Sequence, residues 1–285
     1  MMTRTQLKNY CYLMRLHKPI GIMLLLWPTL WAVFIAGRHH FSPHIFIIFT
    51  MGVILMRSAG CVINDFADRG FDGYVARTRN RPMVTGQVTS QQATTLFLLL
   101  SGLAFILVLT TNLLTILLAI PGILLAASYP FMKRFTNLPQ VILGLAFSWG
   151  IPMAFAAQHN SVPPVAWLLM LANILWTIAY DTQYAMVDRE DDLKIGIKST
   201  AILFGNHDRL LIGILYIATI IVLFMVGLIQ NFAPIFYFAV CIASLFALYQ
   251  QYLIHDRLPQ QCFKAFLNNN WFGLLITLGI FSAVV

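Results

Sequence analysis

Asn64, Asp65, Asp68 and Asp72 crowd into one short stretch at the end of a long apolar run. If the helix continues through them, Asn64, Asp68 and Asp72 stand at i, i+4 and i+8 on one face. Carboxylates that close repel unless something positive joins them. A hard divalent cation answers that need, and Mg²⁺ prefers oxygen ligands while sharing its shell with phosphate. A second acidic set follows four spans later. Asp181, Asp188 and Asp192 are spaced i, i+7 and i+11, again one helical face, with Glu190 and Asp191 beside them.

Acids alone could hold a cation for transport. The basic residues around them point elsewhere. Arg69, Arg77, Arg79 and Arg81 follow the first cluster, Lys133 and Arg134 end another span, and Lys194 and Lys198 follow the second cluster. Carboxylates that hold Mg²⁺, ringed by Arg and Lys, make a site for diphosphate. Arg offers a planar fork for two oxygens, and Lys a point charge. At the mouth of an apolar helical cavity, the matching substrate is a lipid diphosphate. Loss of diphosphate from an allylic lipid leaves a carbocation, which Tyr129, Phe131, Tyr180 and Tyr184 could face through their rings. Each of these aromatic residues reads equally well as an interfacial anchor.

The elements that carry these residues are transmembrane helices. Of the 285 residues 59% are hydrophobic and 10% charged, against about 25% charged in soluble domains. Nine runs are long enough to cross about 30 Å of hydrocarbon. They lie near 20–37, 43–63, 93–110, 112–130, 138–157, 163–180, 209–228, 232–252 and 265–285. The basic start, with Arg4, Lys8, Arg15 and Lys18, leads into a first span without a cleavage signal. The expectation is an all-α polytopic membrane protein in a single domain spanning 1–285. Two weakly similar halves, each with an acidic cluster, would face a central cavity.

Lys and Arg concentrate in the N-terminal segment and in the loops after the second, fourth, sixth and eighth spans. The positive-inside rule places the N-terminus and both acidic clusters in the cytoplasm and the C-terminus outside. The net charge of +8 therefore marks membrane orientation rather than nucleic-acid binding. The four cysteines have neither zinc-site nor disulfide-framework spacing and read as small buried hydrophobes.

Asn64-Asp65-x-x-Asp68-x-x-x-Asp72 with Asp188-x-x-x-Asp192 resembles the paired aspartate motifs of the UbiA superfamily of intramembrane prenyltransferases. Arg15-Leu16-His17-Lys18-Pro19-Ile20-Gly21, Arg79-Asn80-Arg81-Pro82, Tyr180-Asp181-Thr182-Gln183-Tyr184 and Gly196-Ile197-Lys198-Ser199-Thr200 bring it nearest to the 4-hydroxybenzoate polyprenyltransferases of bacterial ubiquinone synthesis. The resemblance implies about nine helices around a cavity open sideways to lipid, in a bacterial inner membrane. It implies polyprenyl diphosphate and 4-hydroxybenzoate as substrates and Mg²⁺ as cofactor. Asn64, Asp68, Asp72, Asp188 and Asp192 would hold the metal. Asp65, Arg69, Arg77, Arg81, Lys133, Lys194, Lys198, Tyr129 and Arg15 join the substrate-binding set. Arg134 matches a basic position that meets either the diphosphate or the benzoate carboxylate. Asp181 is either the proton acceptor or a support for the metal. Association with other quinone-pathway enzymes stays open.

Arg57 lies inside the second span, two turns before Asn64, where an ionisable residue is a functional candidate. It either receives the benzoate carboxylate or forms a structural ion pair. Asn268, Asn269 and Asn270 either line the cavity from the last span or, the favoured reading, sit in its cytoplasmic first turn. A cation-coupled transporter would place its acids near the bilayer midplane. A phosphotransferase would gather its aspartates in one cluster, and an aspartyl protease needs a Gly-x-Gly-Asp setting absent here. Another aromatic acceptor within the same superfamily remains the nearest alternative.

Overall fold

A computed structural model describes residues 4–284. The described residues form twelve α-helices: α1 (Arg4–Leu13), α2 (Ile20–Ala36), α3 (Pro43–Asp68), α4 (Ser90–Val108), α5 (Leu113–Met132), α6 (Pro139–Ser148), α7 (Gly150–His159), α8 (Pro164–Ile195), α9 (Thr200–Phe204), α10 (Asp208–Ile229), α11 (Pro234–Leu253) and α12 (Pro259–Val284). Eight segments are long and apolar enough to span a membrane, with α6 and α7 counted together. The ninth expected span, α2, is apolar but has only 17 residues.

Local chemistry fixes the helix ends. Ser42 accepts from the N–H of Ile45 and Pro43 opens α3, where its missing donor costs nothing. Thr89 and Gln92 form a capping box at α4. Asn112 caps α5 and donates to the Ala156 carbonyl at 2.6 Å, tying α5 to the end of α7. The span expected at 138–157 is broken at Trp149. Pro152 has no N–H for the Ser148 carbonyl, so the ladder cannot run through that turn.

The helices pack roughly in chain order into a ring that closes where α12 meets α2. The main core lies among α2, α7, α8, α10, α11 and α12, around Trp31, Trp176, Phe236 and Phe272. A smaller cluster under α1 packs Leu13 on Ala59, Val62 and Ala93. Apolar side chains such as Leu103, Leu124, Ile217 and Leu248 face outward, as a bilayer requires.

Two helices outrun the expected spans. α3 continues to Asp68, and α8 is a single helix of 32 residues that stops at Gly196, whose φ of 72° suits glycine. At 1.5 Å per residue α8 is about 48 Å long, so its last turns stand clear of the hydrocarbon. The second acidic cluster rides on that overhang.

Candidate active site

One large cavity, about 1000 Å³, lies inside the ring and is lined from α2 through α8 with Phe263 and Phe266 of α12. Helices α10 and α11 contribute nothing to it. Leu98, Phe105 and Ile120 line the cavity and are also exposed on the outer face of α4 and α5. The cavity therefore opens sideways toward lipid.

Both acidic clusters meet at its mouth. Asn64, Asp65, Asp68 and Asp72 line it from one side and Asp188 and Asp192 from the other, with Asp181 two turns earlier on α8. Asp72 arrives by a different route from the one expected. α3 ends at Asp68, and the chain turns through Gly70 into a short 3₁₀ segment, Asp72–Tyr74. Glycine disfavours continued helix, so Asp72 is delivered by a turn rather than as the third rung of one face.

Each of four carboxylates has a basic partner. Asp65, 1% exposed, accepts two bonds from Arg15 at 2.7 and 2.9 Å and lies 3.0 Å from Arg81. Asp68 pairs with Lys133 and accepts from Asn64 at 3.1 Å. Asp72 pairs with Arg81 at 2.7 Å, and Asp188 accepts from Arg77 Nε at 3.1 Å. Arg77 also lies over the Tyr184 ring at 4.7 Å. Burial alone would pull the Arg77 and Arg81 guanidiniums down. Tyr184 and Asp188 outweigh that for Arg77, and Asp65 and Asp72 for Arg81, so both are raised and stay charged.

Asp192 makes no side-chain hydrogen bond or ion pair among the described residues, and the Asp68 Oδ1 is buried without a partner. No three acids among the described residues converge on a single ion as they stand. The donor set nevertheless suits Mg²⁺: oxygen only, on two facing walls, with one buried carboxylate oxygen unsatisfied.

Deeper in, Arg57 donates to Cys61 Sγ at 2.8 Å and faces the Phe147 ring, while its Nε has no partner. No carboxylate forms an ion pair with it among the described residues. Gly21 makes room for it, since a Cβ there would lie 2.5 Å from the guanidinium. The Tyr180 hydroxyl is also buried and unpaired. Tyr129, Tyr180, Asp181 and Tyr184 line the zone between Arg57 and the acidic mouth.

Three basic residues expected at the site lie off it. Arg69 folds back on its own helix, donating to the Phe66 carbonyl at 2.6 Å and stacking on the Phe66 ring. Arg134 donates to the Ala67 carbonyl between Phe71 and Phe131, bracing the end of α3 from behind. Lys194 is 71% exposed and pairs with Asp191. Lys198 does line the cavity, as does Arg15, whose guanidinium is held by Asp65 and the Tyr12 carbonyl. Gln140, buried on the cavity wall and accepting from Thr200 N–H, carried no sequence signal beyond being a lone amide in an apolar span.

The UbiA prenyltransferase family model matches residues 25–275. The chain belongs to the UbiA prenyltransferase family. It is 55% identical over 285 residues to the 4-hydroxybenzoate octaprenyltransferase of Photobacterium profundum, covering 100% of this chain and 99% of that one. It is 57% identical over 276 residues to the enzyme of the same name from Vibrio vulnificus, covering 97% of each. Among solved structures, a UbiA homologue from Aeropyrum pernix superposes with a TM-score of 0.82 at 22% identity, over 92% of this chain and 98% of that one. A UbiA homologue from Archaeoglobus fulgidus bound to GPP and Mg²⁺ gives 0.70 at 18% identity, over 96% and 99%. The all-helical membrane architecture of this UbiA chain is the fold those structures share.

Proposed function

We propose that the chain transfers a polyprenyl group from polyprenyl diphosphate to 4-hydroxybenzoate, at the ring carbon ortho to the hydroxyl and meta to the carboxylate. The product is 3-polyprenyl-4-hydroxybenzoate, a ubiquinone precursor. Full-length identity of 55–57% to enzymes named for this acceptor carries the reading. A lipid-open cavity with a cationic, carboxylate-rich mouth supports it.

Asn64, Asp68, Asp72, Asp188 and Asp192 would hold Mg²⁺, which when bound neutralises charge on the departing diphosphate. Lys133, Arg77, Arg81 and Lys198 surround the same space and take up phosphate charge. The C–O bond breaks with its electron pair leaving on the diphosphate. Rings of Tyr129, Tyr180 and Tyr184 face the allylic cation. Arg57, which forms no ion pair among the described residues, receives the benzoate carboxylate. The ring carbon forms the new bond, and Asp181 takes the proton that the ring loses. The protein sits in the bacterial inner membrane, with its N-terminus and acidic mouth cytoplasmic and its C-terminus periplasmic.

The test is a membrane assay with radiolabelled 4-hydroxybenzoate and a polyprenyl diphosphate, with Mg²⁺ or with EDTA. Label should enter an organic-extractable product only with Mg²⁺. Folded protein that prenylates another aromatic acceptor but not this one would sink the acceptor assignment.

A further inference from the structure

Asp208 opens α10 and belongs to neither acidic cluster. Its side chain is completely buried, yet it is a hub. It accepts from Arg189 Nη2, from Arg257 Nη2 at 2.9 Å and Nε at 3.1 Å, and from the Arg209 N–H at 2.6 Å. A buried carboxylate is tolerable only with such partners. Arg257 already supplies one full charge, so neutralising Asp208 does not by itself require the second arginine.

Arg189 is the residue after Asp188. Successive residues on a helix are about 100° apart, so Arg189 leaves α8 on the flank beside the face that carries Asp188 and Asp192. Those two line the cavity and Arg189 does not. Its guanidinium is turned onto Asp208, and its Nε has no partner. Released, that long side chain would bring a positive charge toward Asp192, which forms no ion pair among the described residues, and toward Asp188, which among them pairs with Arg77. It would then compete with a metal cation for both.

We propose that Asp208 is a positioning residue that withholds the Arg189 charge from Asp188 and Asp192, and so sets how much Mg²⁺ the second motif requires. This rests on the metal–diphosphate reading of the mouth. Asp208 therefore acts on the site through Arg189, without touching substrate.

The test uses the purified full chain in detergent, held at constant geranyl diphosphate while Mg²⁺ is titrated, with the unfolding midpoint as readout. Ligand that binds only the folded state raises that midpoint. If the wild type shows no Mg²⁺-dependent rise, the reading of the mouth itself fails. Given that rise, Asp208→Asn should increase the half-saturating Mg²⁺ about tenfold, in the range found for residues that support metal ligands. Adding Arg189→Gln to it should restore the wild-type value, and Arg189→Gln alone should leave that value unchanged. A purely structural Asp208 predicts a lower midpoint without a change in Mg²⁺ requirement, or a change that Arg189→Gln does not reverse. Either result overturns the proposal. If Asp208→Asn cannot be purified, Asp208→Ser, which also removes the charge that holds Arg189, takes its place. A raised requirement reversed by Arg189→Gln supports the proposal, and an unmoved one overturns it.

Discussion

The Lys133 ammonium, just past the end of α5, donates to Asp68 Oδ2, while Asp68 Oδ1 is buried with no partner. Arg81 with Asp72 and Arg77 with Asp188 repeat the relationship. The cations suited to diphosphate thus neutralise the carboxylates suited to Mg²⁺. Mg²⁺ arriving alone must displace them, whereas Mg²⁺ arriving with diphosphate gives them a new anion. Binding of the two should be strongly synergistic. Lys133→Gln should weaken prenyl diphosphate binding by about ten- to hundredfold, the loss of one charged hydrogen bond. Equilibrium binding with and without Mg²⁺ checks this, and equal Mg²⁺ affinity in the presence and absence of diphosphate would refute the synergy.

Arg57 and Gly21 should act as one unit. Arg57→Gln is expected to raise the KM for 4-hydroxybenzoate about ten- to hundredfold and to leave that for the prenyl diphosphate unchanged. Gly21→Ala places a Cβ 2.5 Å from the guanidinium and must push it aside. It should reproduce the same selective rise in steady-state kinetics. A rise in both KM values would instead make Arg57 a general structural support.

Asp65, expected in the substrate-binding set, is held between Arg15 and Arg81 and should act as a brace. Arg15, whose backbone is left-handed at φ 59°, is held there by two bonds to Asp65. A non-glycine residue keeps that conformation only when its surroundings enforce it. Asp65→Asn should destabilise the protein by about 3–5 kcal/mol, because Arg15 and Arg81 both lose their shared anion. Thermal unfolding in detergent measures it. A stable variant that had only lost Mg²⁺ dependence would instead add Asp65 to the metal ligands.

Asn269 is 0% exposed and joins two helices, α8 and α10, to its own. It accepts from Trp176 at 2.8 Å and Tyr216 at 2.7 Å and donates to Gln183 at 3.0 Å. Asn269→Leu should cost about 1–2 kcal/mol, modest because polar contacts within membrane bundles are individually weak. Unfolding midpoints should fall while both KM values hold.

What the sequence made legible was the placement of charge. Ten acids in a chain this apolar are conspicuous, and the spans between the two clusters bring them to one mouth. Partner choice was not legible. Arg69, Arg134 and Lys194 look like Arg77 and Lys133 in sequence, and only the packing of Phe66, Phe71 and Phe131 explains why the first two turn away. The asparagine triplet was misplaced because α12 begins at Pro259, several residues before its apolar run. That start moves Asn268, Asn269 and Asn270 from the first turn into the third, where Asn269 is buried. Arg57 was visible as an anomaly, but that it forms no ion pair with a carboxylate among the described residues was not.

α8 carries Tyr180 and Asp181 in the cavity and Asp188 and Asp192 at its mouth on one unbroken rod. The rise per residue puts about 10 Å between Asp181 and Asp188. On the proposed function the rod is therefore a ruler: the spacing between where a bond would break and where a proton would depart is graduated in helical turns. An extra residue between them would lengthen that spacing only slightly, yet swing the second motif by about 100° around the axis. Distance along this helix is forgiving; phase is not.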